Sequence, residues 1–222
     1  MRDYIVLLCF ALDTASAQPS FSFIQVENEK TLCTEALPAG RGQSADLLKL
    51  LEQAMQGKNI SYSDISTLAV LTGPGSFTGL RVGMSFMKGL ALSLKLPLYG
   101  CQHFELMAQT MCHGEKKVGL IALESGRKEK FFQFTNGQNL IDDPINCSIE
   151  ELVATKQDLY LKSGYYVSDF EIDTELSKKP FAKKTSEYLG QYCLNNNDML
   201  STPLVPYYIR PADTSTPKTK ID

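Results

Sequence analysis

Residues 65–94 read ISTLAVLTGPGSFTGLRVGMSFMKGLALSL, and this stretch decides the fold. Ile65 to Thr72 is an apolar run of strand length, the pattern of a strand covered on both faces. Gly73-Pro74-Gly75 stops it, and Ser76 or Thr78 can cap a helix that continues to Leu94. One helical stripe holds Leu80, Met84, Met87, Ala91 and Leu94, and another holds Val82, Phe86, Gly89 and Ser93. Only Arg81, Ser85 and Lys88 form a polar line. A helix apolar over most of its circumference has to be covered on two sides, by its own domain or by a partner.

The loop between strand and helix admits two readings. Gly73, Gly75 and Gly79 let the backbone turn sharply, and the helix start offers unpaired N–H groups at the positive end of a dipole. With Ser76, Thr78 and Arg81 alongside, such a loop can hold an anion. It can equally be a tight connection whose hydroxyl only caps the helix. The G-x-x-x-x-G-K-[ST] spacing of a phosphate-binding loop is absent, and the three glycines miss G-x-G-x-x-G by one residue.

Upstream, residues 5–12 (IVLLCFAL) read as a buried strand ending at Asp13-Thr14, and runs at 20–26 and 31–37 complete a meander. Ser44 can start a helix with Leu47, Leu48, Leu51, Ala54 and Met55 on one face, closed by Gly57. Downstream, Pro97 to Cys101 supply a short strand. The second half predicts a helix at 103–112, strands at 118–123 and 129–135, and a return strand after Asn136-Gly137. A capping box at Ser148 and Glu151, a strand at 158–163, a helix at 185–194 and an extended tail from Thr202 follow. This order predicts an α/β chain with a first lobe at 1–101, a smaller lobe at 102–205 and a tail at 206–222.

The 222 residues carry 22 Lys+Arg against 25 Asp+Glu, a net charge of -3, so no global basic surplus exists to grip nucleic acid unaided. Cysteines at 9, 33, 101, 112, 147 and 193 form no C-x-x-C pair, and His103 and His113 are the only histidines, which disfavours a structural zinc site or a disulfide framework. The reading is a reducing, cytoplasmic setting. Arg2, the run from Tyr4 to Leu12 and Ala15-Ser16-Ala17 imitate a signal peptide, but Asp3, Asp13 and Thr14 interrupt the imitation. No stretch approaches the ~20 apolar residues of a membrane span.

The element order resembles the ribonuclease-H-like half of the actin, Hsp70 and sugar-kinase architecture, a two-lobed duplicated fold with the second lobe reduced. Within it, GPGSFTGLRVGMSFMKGLA after ISTLAVLT resembles the signature of the TsaB (YeaZ) family. So do the strand ending in Asp13-Thr14, the helix from Ser44, the LPLYG segment and the tail PLVPYYIRP. The resemblance implies a non-catalytic subunit of the complex that adds threonylcarbamoyl to N6 of adenosine 37 in ANN-decoding tRNAs. It implies a heterodimer with a TsaD homologue, which carries the ATP and the Mg2+ or Zn2+, with the TsaE ATPase in the larger complex and tRNA met through that complex. By the same resemblance, Leu47, Leu51, Met55, Met84, Met87 and Ala91 would form the partner surface, and no cofactor is expected on this chain.

Two departures from the family accompany this. Gln43 stands where many members keep a histidine, and Glu124-Ser125-Gly126-Arg127 before Glu129 replace an Asp-Ala-Arg-like turn. Asp13 and Thr14 occupy the place where ATP-using members of the fold hold phosphate and metal, yet Ala15 to Pro19 lack the glycines and lysine that wrap phosphates. An ATPase or phosphotransferase of the same fold, or a glycoprotease-like metallopeptidase, is the alternative, and a homodimer is a third reading. Lys178-Lys179, Lys183-Lys184 and the tail lysines are the candidates to face tRNA.

Overall fold

The computed structural model describes residues 6–38, 43–125, 128–168, 170–196 and 204–209, with backbone only at 43–45. Strands β1 (Leu8–Asp13), β2 (Ser20–Gln25) and β3 (Thr31–Ala36) precede α1 (Gln43–Lys58), β4 (Ile65–Gly73), α2 (Phe77–Leu94) and β5 (Leu98–Gln102). After α3 (His103–Met111) come β6 (Val118–Leu123), β7 (Lys130–Asn136), β8 (Asn139–Cys147), α4 (Ile149–Thr155) and α5 (Gln157–Lys162). Then β9 (Ser163–Val167), β10 (Ser177–Lys179) and α6 (Thr185–Asn195) close the second half.

The first sheet has the order β3-β2-β1-β4-β5, and the second has β10-β9-β6-β7-β8. Read from its other edge, the second sheet is β8-β7-β6-β9-β10, the same order with five added to each strand number. The pairing repeats as well. In each sheet the first three strands are antiparallel, and the last two join the first in parallel. The chain is thus a duplicated two-lobed α/β fold of the ribonuclease-H-like kind. Among the described residues the second lobe keeps all five strand positions and is reduced in its short α4 and α5 and its three-residue β10.

Burial follows from strand alternation. Leu8, Phe10 and Leu12 of β1 join Leu68 and Val70 of β4 in the core beneath α1 and α2. Cys9 and Ala11, with Ala69 and Leu71, face the opposite way into a core shared with α3, α6 and the second sheet. A third core lies between the second sheet and α4–α5. The layers are therefore α1/α2, first sheet, α3/α6, second sheet and α4/α5. All six residues of β1 are buried, as a continuous apolar run requires, and Ala15 and Ser16 of the cleavage-site look-alike are buried behind it.

The structure corrects one expectation. Residues 158–163, expected as a strand, form most of α5 and only then turn into β9. Asp158 sits in the helix's first turn and Lys162 in its last, and the exposed Leu161 leaves the segment without the two covered faces a central strand needs. Strand β5 ends at Gln102 and α3 starts at His103, while α6, late in the chain, packs mainly on β2 and β1 of the first sheet. Residues 39–42 of the loop after Pro38, the side chain of Ser44, and Arg127 lie outside the described residues, as does the tail beyond 209.

Candidate functional site

The strand-end loop is filled by the chain's own atoms. Asp13 is fully buried, and its Oδ1 accepts hydrogen bonds from the backbone N–H groups of Ala15 at 2.9 Å and Ser16 at 3.0 Å. The Ser16 hydroxyl donates to Oδ2 of the same carboxylate. Thr14 turns its hydroxyl to donate to the Gly79 carbonyl at 2.7 Å, and Ser76 donates its N–H to the Ala15 carbonyl at 2.9 Å. A Cβ on Gly75 would collide with the Ala15 carbonyl, and one on Gly79 with the Thr14 carbonyl. The glycines are thus needed for close backbone contact between the β1 end and the start of α2.

The residues expected as an anion loop, Asp13, Thr14, Gly73, Gly75, Ser76, Thr78, Gly79 and Arg81, lie together at this corner, and several already have partners within the chain. The Ser76 hydroxyl accepts from the Gly79 N–H at 3.2 Å, so the cap is internal. Gly73, at φ +114, faces the Tyr207 carbonyl 2.6 Å from its missing Cβ. The Arg81 guanidinium stacks 3.9 Å from the Phe77 ring centroid, and Tyr208 covers Phe77 from 5.0 Å. Thr78 is exposed. The Asp13 carboxylate and the Thr14 and Ser76 hydroxyls are engaged within the turn.

The tail fastens the same corner. Tyr207 donates its N–H to the Thr72 carbonyl at 2.7 Å, Lys88 Nζ donates to the Leu204 carbonyl at 2.7 Å, and the Leu204 side chain fills the notch over Gly100. Burial, with Asp143 adding, raises the Tyr207 phenol above its ordinary value.

The six residues that the resemblance implies as partner surface pack toward the first sheet. Leu47, Leu51, Met55, Met84 and Met87 are all buried in the core under the first sheet, and Ala91 is half-buried. The reason is the sheet itself, whose β1 and β4 aromatic and aliphatic side chains demand a cover on that face. What remains outward on α2 is Thr78, Arg81, Ser85, Lys88, Gly89, Leu92 and Ser93, with Leu92 83% exposed. Leu48 is the corresponding outward leucine of α1. A sequence signal for Leu92 existed: 81, 85, 88 and 92 lie on one helical line, so a leucine there breaks the polar line.

A family model described as TsaD: tRNA N6-adenosine threonylcarbamoyltransferase matches residues 38–164. The tRNA threonylcarbamoyladenosine biosynthesis protein TsaB of Escherichia coli is 33% identical over 99 residues, 45% of this chain and 42% of that protein. TsaB of Buchnera aphidicola is 25% identical over 121 residues, 54% of each chain. The chain belongs to this family, on its TsaB (YeaZ) branch. YeaZ from Pseudomonas aeruginosa superposes with a TM-score of 0.63 at 15% identity, over 93% of this chain and 100% of that one, so the TsaB-type fold runs through both lobes. The chain spans about half the length of the curated TsaB relatives it matches. The family match begins just before α1 and ends inside β9, so it includes the loop and all of α2.

Among the described residues no three His, Cys, Asp or Glu side chains come together as a metal set, and no helix is long and apolar enough to cross a membrane. All six cysteines are buried free thiols.

Proposed function

We propose that this chain takes part in making threonylcarbamoyladenosine as a non-catalytic subunit, binding and ordering a TsaD homologue through the outward faces of α1 and α2. The TsaB names of its relatives support the pathway. The observation that carries the docking role is Leu92, a large apolar side chain 83% exposed on the helix that follows the family's loop. Beside it Ser85, Gly89 and Ser93 keep the surface low, and nothing lies within 4 Å of the Cβ position at Gly89, so a partner helix can approach the backbone. ATP and a divalent metal belong to the partner, TsaE joins the larger assembly, and the setting is cytoplasmic.

The test is mass-resolved chromatography of the chain mixed with the TsaD homologue of its own cell, together with Leu92→Glu. A heterodimer that forms with the native chain and is lost with Leu92→Glu, at unchanged melting temperature, supports the reading. A strictly solitary chain, or nucleotide or peptide turnover by the chain alone, overturns it.

A further inference from the structure

The lysine pairs that stand out in the sequence are occupied within the chain. Lys178 Nζ meets Glu171 at 2.6 Å and Lys179 Nζ meets Glu115 at 2.6 Å, while Lys183 and Lys184 donate to the amide oxygens of Gln191 and Gln18, each at 2.7 Å. The exposed lysines at one end of the second sheet differ. Val118 of β6 lies opposite Ser163 of β9 in the parallel register, so Lys117 and Lys162, each one residue ahead of its strand, lead into adjacent strands at the same end of the sheet. The Lys117 stem lies over Gly164, two residues beyond Lys162, where any Cβ would collide with its Cδ. Lys116 precedes it. All three are exposed, and none makes an ion pair among the described residues. Glu115, the carboxylate next to them in sequence, is already held by Lys179.

Hydrogen-bonding groups share this edge. Val118 pairs with Asn136 and Asn136 with Asn139, which puts the β7–β8 turn at the same end of the sheet. Gln109 Nε2 donates to the Gln138 carbonyl at 3.4 Å, and the Cβ position of Gly137 is 3.2 Å from the Glu115 carbonyl, so the turn rests on the loop that carries the lysines. His113, Asn136, Gln138 and Asn139 are exposed there.

We infer that this rim, with Lys116, Lys117 and Lys162 at its centre, docks the phosphate backbone of RNA. Unpaired ammonium groups lose no internal partner when they meet phosphate, and each releases counterions from the polyanion. The amides and imidazole beside them suit phosphate and ribose oxygens. Leu161, the exposed apolar neighbour of Lys162, is too little surface for a lipid anchor, which takes a whole apolar helix face. Because the whole chain is acidic at -3, the attraction is local and orients the polyanion on one end of the second lobe. The choice of RNA rests on the proposed role in tRNA modification, and the rim lies on the other lobe from the α1/α2 face.

The experiment measures binding of a fluorescently labelled, unmodified tRNA transcript by anisotropy, with the full chain alone and with the TsaD homologue added, over about 50 to 200 mM salt. The triple variant Lys116→Gln/Lys117→Gln/Lys162→Gln should bind about tenfold or more weakly, and its log–log salt slope should fall by about 2 to 3, roughly one per lysine. Lys183→Gln/Lys184→Gln should change neither quantity, and circular dichroism melting checks that both variants fold. Equal affinity and slope for the triple variant and the native chain in both conditions overturn the inference. Native binding to phosphatidylserine vesicles that the triple variant loses, with tRNA affinity unmoved, overturns it in favour of a membrane. Leu92→Glu should leave the tRNA affinity of the chain alone intact, so failure of the docking reading and failure of the rim give different results.

Discussion

Gly79 and Gly89 lie on one helix and do opposite things. The missing Cβ of Gly79 makes room for the Thr14 carbonyl, a group 65 residues away in sequence, whereas the Cβ position of Gly89 meets nothing within 4 Å. Gly79→Ala should therefore push the β1 end off α2 and cost about 3 kcal/mol in urea unfolding, since the obstacle is backbone and not a side chain that can swing away. Gly89→Ala should stabilise the isolated chain by about 0.5 to 1 kcal/mol, because a helix interior favours alanine. The same methyl group should weaken capture of the TsaD homologue in a pull-down, if the helix face is where that partner sits. Stabilisation without any loss of capture would place the partner elsewhere. Met84 makes the complementary case. At 3% exposure, Met84→Glu should unfold the chain and not merely release a partner, which a lost cooperative transition in circular dichroism would register. Which face of α2 is inward was the part the sequence left open, because both stripes are apolar and periodicity alone cannot say which one a distant sheet covers.

At the scale of elements, α6 shows how the halves are joined. Its Ser186 hydroxyl lies 2.9 Å from that of Ser20 and 2.7 Å from that of Ser22, and Ser22 continues the chain to Thr34 at 2.9 Å. Gly190 lets the helix settle against Ile24 and Ala11. A buried hydroxyl stripped of its partner is left unsolvated, so Ser186→Val should destabilise the chain by about 1 to 3 kcal/mol in guanidinium unfolding. A change below about 0.5 kcal/mol would mean that packing alone seats the helix. The existence of α6 was legible from its periodicity, as were β1 to β5, α1, α2 and the capping box of Ser148, whose hydroxyl accepts from the Glu151 N–H at 3.3 Å. Its destination was not legible, since nothing local in residues 185–195 names the sheet 160 residues upstream. Segment 158–163 reads as a strand in the sequence for a related reason: six residues are too few for periodicity to separate helix from strand. Strand β10 is three residues whose ladder partner is the parallel strand β9, a signal that lives in pairing and not in composition. The strand-end loop was legible as a tight connection, but the committed carboxylate of Asp13 was not, because its partners are backbone N–H groups.

In the molecule as a whole, the two lobes share one core, and that core holds Cys9, Cys101, Cys112 and Cys193 among its apolar side chains. Burial pushes the Cys9 thiol up to about 12 from an ordinary 9.0, and it raises Cys101 and Cys193 as well. The folded chain therefore keeps these protons at a pH where the unfolded chain releases them. A thiol whose folded value is raised contributes its full stability below about pH 9 and loses it as pH climbs from 9 towards 12. Each such group removes up to about 1.4 kcal/mol per pH unit in that window. The phenols of Tyr165 and Tyr192, raised chiefly by burial, steepen the decline above their ordinary 10.0. Denaturant unfolding at several pH values between 8 and 10.5 measures this directly, with Cys9→Ala as the comparison. That variant should be less stable at pH 8, because it leaves a small cavity on the central strand. Its stability should then fall less steeply above pH 9, so that the two curves converge. Parallel curves would mean that Cys9 gives up its proton in the folded chain, and that the shared core opens to water at alkaline pH before the chain unfolds.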